Sequence, residues 1–238
     1  VYGPVDGVEY NKNRTQNMTL YANHQWNEQF SSALNLSQIS DRYDYTSIAY
    51  GVSDTSRYET KNQQISLQNQ WNSRLGIWNF GASHLHQTLD STVGFLAKSR
   101  NTDSAWMGYQ YEQNRHHLQL NGRFDRLSDL NSKNFLTGAI NYGYDITPAW
   151  RVLAGYSNGF AAPSFNQLYY PPYCYGGYCF DSSNPNLKTE KANYAQLGVQ
   201  WAQAHYGARV TYFDTRYRDK IANDANYIPQ NIARARAK

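Results

Sequence analysis

The sequence has no run of apolar residues approaching the ~18 needed for a membrane-spanning helix, which excludes helical spans. It is also poor in charge. Only 17% of its 238 residues are Asp, Glu, Lys or Arg, and the net charge of +4 is spread along the chain. No Lys/Arg cluster carries interleaved aromatics, so no nucleic-acid partner is expected. Two cysteines without a nearby histidine are too few ligands for zinc. Gly-x-Ser-x-Gly, a phosphate-cradling glycine loop and His-Glu-x-x-His are all missing, so no enzymatic chemistry is expected.

What fills the gap is Asn, Gln, Ser, Thr and 22 tyrosines, which give a mean hydropathy of -0.78 beside 40% hydrophobic residues. The hydrophobic residues alternate with polar ones. Met18, Leu20, Ala22 and Trp26 share one parity, and Thr19, Tyr21, Asn23 and Gln25 the other. The pattern returns with Ile65, Leu67 and Trp71, with Leu118, Leu120 and Phe124, with Leu136, Ile140 and Tyr142, and with Leu197, Val199 and Trp201. A soluble antiparallel sheet also alternates with period two. These segments, however, run to the roughly 9 to 11 residues that cross a bilayer at a tilt, whereas soluble strands average about 5 or 6.

Connections alternate in length as well. Tight turns are predicted at Asn27-Glu28, at 72–74, at Asn114-Arg115, at Thr147-Pro148 and near Ala204, and longer polar links at 43–55, 91–101, 127–133, 161–187 and 220–230. Outer-membrane barrels have short periplasmic turns and long extracellular loops, so the predicted fold is all-β, an antiparallel transmembrane β-barrel with about 10 or 11 strands in this chain. Arg234, Arg236 and Lys238 alternate with Ala and read as one polar face of a further strand. An open sheet would leave two unpaired edges, which lipid does not tolerate. Val1 follows no initiator Met or signal peptide, and 231–238 reads as part of a strand, so a piece of a larger closed barrel is expected.

Cys174-Tyr175-Gly176-Gly177-Tyr178-Cys179 forms one small unit. Gly-Gly supplies the positive φ angles of a two-residue hairpin turn, which sets Tyr175 opposite Tyr178 and Cys174 opposite Cys179. A non-hydrogen-bonded pair has Cα atoms ~4.5 Å apart, within disulfide range. A disulfide-pinned loop tip is therefore expected, compatible with an oxidising periplasm on the export route.

The stretch Asn158-Gly159-Phe160-Ala161-Ala162-Pro163-Ser164-Phe165-Asn166-Gln167-Leu168-Tyr169, followed by Asn184-Pro185-Asn186-Leu187-Lys188-Thr189-Glu190, resembles the paired signature of TonB-dependent outer-membrane transporters. In that family a strand ends in Phe-basic-Ala-Pro-x-x-x-x-Leu-Tyr, and Asn-Pro-x-Leu-x-Pro-Glu opens the next. Ala161 departs from the usual Lys or Arg, and Thr189 from the usual Pro. The matching positions are Phe160, Ala162, Pro163, Leu168, Asn184, Pro185, Leu187 and Glu190. Within the family the similarity is to its cobalamin (vitamin B12) receptors, through these blocks together with 37–44 and 76–87.

The resemblance implies a Gram-negative outer-membrane location and a twenty-two-stranded barrel, of which residues 1–238 would supply a partial barrel domain without the plug or the C-terminal strands. It further implies active uptake of a scarce small-molecule nutrient, cobalamin first and a siderophore or other metal chelate second. The implied partners are outer-membrane lipid and, through the plug domain, the TonB–ExbB–ExbD energy-coupling system. The other readings are a passive porin and a soluble glycan-binding β-protein. No resident cofactor is implied, apart from calcium of the kind that orders outer loops in related receptors. Its candidates are Asp41, Asp44 and Asp54.

Link 161–187 is the candidate ligand surface. Its aromatics give large contact area at low entropy cost, and Pro171, Pro172 and the disulfide stiffen it. The candidate contacts are Phe165, Asn166, Tyr169, Tyr170, Tyr173, Tyr175 and Tyr178, against the alternative that each only packs the loop on its neighbours. His84 and His86 share a strand face and could hold a metal, but a third ligand is missing and they also read as a continuation of the Trp78, Phe80 and Ala82 face. His116 and His117 stand at a turn and read as exposed only.

Overall fold

Eleven strands hydrogen-bond in one antiparallel sheet in the computed structural model, which describes residues 7–49, 52–130, 133–175 and 177–238. The first eight are β1 (Gly7–Gln25), β2 (Phe30–Ala49), β3 (Val52–Ser73), β4 (Gly76–Ser91), β5 (Ser99–Gln113), β6 (His116–Leu127), β7 (Asn134–Thr147) and β8 (Trp150–Ala161). A long connection then carries helix α1 (Phe165–Tyr169) and a hairpin of β9 (Tyr173–Tyr175) and β10 (Tyr178–Phe180). The sheet resumes with β11 (Glu190–Gln203), β12 (Tyr206–Asn223) and β13 (Pro229–Ala237). Each strand pairs with the next in sequence, and β8 pairs with β11 across the long connection.

Register carries the alternation across the whole sheet. Ala22, Leu34, Leu67, Ala82, Ala105, Phe124 and Leu136 lie side by side on seven successive strands. Four residues nearer the tight turns stand Phe30, Trp71, Trp78 and Tyr109, each opposite the next. The Trp78 and Tyr109 rings lie 4.4 Å apart, forming an aromatic girdle at the short-turn end of the apolar face. That face is open: Met18, Leu136, Leu197 and Val210 are 74%, 75%, 63% and 76% exposed. A soluble protein does not leave so continuous an apolar surface uncovered, whereas a barrel gives it to lipid.

The buried apolar side chains sit elsewhere. Leu89, Phe95, Leu127, Leu130, Phe135, Leu168 and Leu187 all lie at or beyond the loop ends of the strands. Five of them, Leu127, Leu130, Phe135, Leu168 and Leu187, form one cluster under the long connection. Elsewhere the wall allows only close backbone approach. A Cβ on Gly81 would meet the Leu67 carbonyl oxygen and the edge of the Trp106 ring, so the indole crosses β4 only because that position is glycine.

The strands outrun the bilayer. β2 and β3 have 20 and 22 residues instead of about 10, and the polar link expected at 43–55 is strand except at 50–51, which lie outside the described residues. The hydrophobic pattern stops near Leu36 and Ile65, but the ladder continues from Gln38↔Gln63 to Ala49↔Val52. Tyr43, Tyr45, Thr46, Thr55 and Tyr58 have good strand propensity, and antiparallel pairing needs no apolar face once the chain is in water. The expected link 220–230 likewise shrinks, since β12 reaches Asn223 and β13 starts at Pro229.

Candidate functional site

Two strand ends and the loops between them build the rim beneath the long connection. Pro163, among the most deeply buried side chains, turns the chain out of β8, and Ser164 caps α1. The Gln167 amide donates to Ser164 Oγ at 3.2 Å, and the Ser164 amide donates to Gln167 Oε1 at 2.9 Å. This reciprocal capping box starts a helix of only five residues. Leu168, 1% exposed, drops from it into the cluster of Leu127, Leu130, Phe135 and Leu187. The two sequence blocks, separated by fourteen residues, therefore meet through Leu168 and Leu187.

Arg100 fastens this turn to β5. Its Nε donates to Asp129 Oδ1 at 2.7 Å, its Nη2 donates to the Pro163 carbonyl at 2.9 Å, and its guanidinium lies 5.2 Å from the Phe165 ring centroid. The Tyr169 hydroxyl donates to the Asp129 carbonyl at 3.0 Å. Burial raises the Tyr169 phenol above its ordinary pKa, and the neighbouring Asp129 charge acts in the same direction. Phe160 stacks on Phe135 at 4.2 Å.

The second block is tied to the β12–β13 turn. The Asn184 amide donates to the Gln167 carbonyl at 2.7 Å, while its side-chain nitrogen donates to the Pro229 carbonyl at 3.0 Å. Asn231 bridges the Lys188 backbone in both directions, accepting at 2.8 Å and donating at 3.0 Å. Glu190 accepts from the Ile221 amide at 2.6 Å. Pro185 is exposed on this turn, Ala162 packs at the margin of the cluster, and Thr189 is buried.

The ligand candidates thus fall into two groups. Phe165, Tyr169 and Tyr170 belong to the anchored base, and Asn166 is exposed on its outer side. Tyr170 joins an aromatic line along the wall, its ring edge-on to Phe95 at 5.4 Å and its hydroxyl 3.4 Å from that of Tyr58. Tyr58 meets Phe95 and Tyr43 at 6.3 Å each. Desolvation first, then the hydrogen bond to Tyr170, pushes the Tyr58 phenol up to about 12. The hairpin projects beyond this base. Cys174 and Cys179 are cross-strand partners joined by an S–S bond of 2.08 Å, and Tyr178 and Phe180 are 75% and 63% exposed. Tyr173 and Tyr175 contribute strand backbone, but their side chains, like residue Gly176, lie outside the described set.

Tyr43, Tyr58, Phe95, Arg100 and Asp129 are the rim residues that sequence reasoning did not single out. Tyr43 was read as the start of a link, Tyr58 lay outside every predicted feature, and nothing in the local pattern pairs Arg100 with Asp129 across 29 positions. His116 and His117 were read as merely exposed at a turn. They instead open β6, where His116 Nδ1 lies 2.7 Å from the Tyr142 hydroxyl and His117 Nε2 lies 2.8 Å from Asp145 Oδ2. His84 and His86 lean on Asp103 and Asn101 at 2.6 Å each, and no group of three or more His, Cys, Asp or Glu converges among the described residues. Asp41 and Asp44 point to opposite faces of β2. Asp44 is shared by Arg57 at 2.7 Å and Arg42 at 3.0 Å, which hold its carboxyl below the usual carboxylate range. Asp54 stands opposite Ser47, six rows along the ribbon from Asp41 and on the opposite face from Asp44.

The chain matches the family profile described as "TonB dependent receptor-like, beta-barrel" over residues 2–238. It is 24% identical over 225 residues to the vitamin B12 transporter BtuB of Photobacterium profundum, covering 90% of this chain and 34% of that protein. It is 26% identical over 165 residues to an iron-regulated outer membrane virulence protein of Vibrio cholerae, covering 66% of this chain and 24% of that protein. Among solved structures, a mutant of the ferric enterobactin receptor PfeA of Pseudomonas aeruginosa superposes with a TM-score of 0.74 at 17% identity, over 95% of this chain and 40% of that one. The chain therefore spans about a third or less of the curated relatives it matches.

Proposed function

Because this chain belongs to the TonB dependent receptor-like β-barrel family of the Gram-negative outer membrane, whose members are receptors and transporters, we propose that it forms barrel wall and outer loops of a receptor for active cobalamin uptake. The observation that carries this reading is the long connection after β8. Its base is welded into the rim by Leu168, Arg100 and Asn184, while its disulfide-pinned tip presents Tyr178 and Phe180 to the outside. A firm base and a rigid aromatic tip suit capture of a large planar molecule from dilute solution. Energy would come from TonB–ExbB–ExbD through a plug domain, and no bond of the ligand need break. Membership of the family leaves the passive porin and the soluble glycan-binding sheet without support.

A siderophore or other metal chelate is the second reading, favoured by the similarity to the iron-regulated Vibrio protein. Equilibrium dialysis of cyanocobalamin and of a ferric catechol chelate against the receptor that carries this chain separates the two. Cobalamin should bind the tighter, and Tyr178→Ser with Phe180→Ser should weaken it by about tenfold or more. Tighter binding of the ferric chelate would move the assignment to the second reading.

A further inference from the structure

The parity that makes Met18, Leu20, Leu36 and Ile65 lipid-facing also decides which polar side chains share the outer face above them. Going up the strands from that band, the face carries Lys61, then Arg14 and Arg42 with Glu59, then Lys12 and Arg57 with Asp44. Asp90, opposite Glu59, is the remaining carboxylate on this face at that level. Five cations thus stand against three carboxylates. Asp44 is already shared by Arg42 and Arg57, and Glu59 is paired with Lys61 at 3.1 Å. Lys12 and Arg14 are exposed and have no ion-pair partner among the described residues.

Arg14 and Arg42 are direct cross-strand partners. Like charges placed so are destabilising, because their Cβ atoms lie only ~5 Å apart, unless an anion sits between them. Height gives the source of that anion. Arg14 is four residues above Met18, ~13 Å along the strand and roughly 10 Å in height at the tilt of a barrel strand. Long cationic side chains reach back across that distance into a headgroup layer some 5–8 Å deep.

We propose that the outer face of β1–β3 above the apolar band is a binding site for the phosphate groups of outer-leaflet lipids, with Arg14 and Arg42 as its centre and Lys12, Arg57 and Lys61 around them. The test uses the detergent-purified receptor carrying this chain, titrated with phosphatidic acid and, separately, with phosphatidylcholine, and read by native mass spectrometry. Lys12→Gln with Arg14→Gln removes two exposed side chains that have no ion-pair partner among the described residues. It should lower retained phosphatidic acid by about tenfold or more, since each basic residue near an anionic surface contributes about fivefold. Lys61→Gln alone should give a smaller loss in the same direction. Equal retention by wild type and the double variant would overturn the proposal, as would retention of phosphatidylcholine at the level of phosphatidic acid. Displacement of the lipid by millimolar inorganic phosphate would also overturn it, by showing a site for free anions.

Discussion

Arg100 and Asp129 meet at 2.7 Å with side chains only 8% and 7% exposed, joining the start of β5 to the loop after β6 beneath α1. Asp129 Oδ2 has no hydrogen-bond partner among the described residues, and among them the carboxylate depends on one guanidinium. Arg100→Met would leave a buried charge unpaired and should destabilise the rim by roughly 3–5 kcal/mol. Removing both charges in Arg100→Met with Asp129→Leu should recover most of that loss. Thermal unfolding of the four forms of this double-mutant cycle is the measurement, and an additive double variant would show that the pair is not coupled.

Leu168→Ala empties the middle of the apolar cluster and should cost about 2–5 kcal/mol. The loss should be local, because the sheet keeps its ladder. Limited proteolysis should then cut within 162–189 in the variant at protease levels that leave the wild type whole, while the strands stay resistant.

Raising the Tyr58 phenol to about 12 means that the fold favours its protonated form. Its contribution is fully present below the ordinary value of 10.0 and is lost as pH rises through about 12. Tyr58→Phe keeps the ring and abolishes the titration. Alkaline unfolding of wild type minus variant should show the extra pH dependence only in that window, and identical profiles would refute it.

Gly81→Val would push a side chain into the Leu67 carbonyl and the Trp106 ring, both close to backbone that cannot move without breaking the ladder. Assembly into the membrane should fall severalfold, read as the folded fraction by heat-modifiable gel mobility. Gly94→Val is the control, since open space surrounds that position and no change is expected.

Parity and turn chemistry were legible because each is local. Alternation in Ile65, Leu67 and Trp71 needs only a period of two, and the hairpin from Cys174 to Cys179 needs only its own Gly-Gly. Strand length was less legible. The sequence marks where lipid ends, at Leu36 and Ile65, but the ladder stops only where pairing stops, thirteen rows further on at Ala49↔Val52. The histidines were misjudged for a related reason, since Asp145 lies 28 positions from His117 and only the pairing of β6 with β7 brings them together.

By itself the sequence determined the class of wall and the identity of the two motif blocks, because a lipid solvent imposes a pattern on every strand. Only the tertiary structure decided what those blocks do. Pro163, Leu168, Asn184 and Leu187 turned inward to build the rim's apolar cluster and its polar seams, Tyr169 and Tyr170 went with them, and Tyr178 and Phe180 were left outside. The reason is physical: whether an aromatic packs or projects depends on which distant side chains, here Leu127, Phe135 and Phe95, complete a closed contact around it, and no local spacing records that.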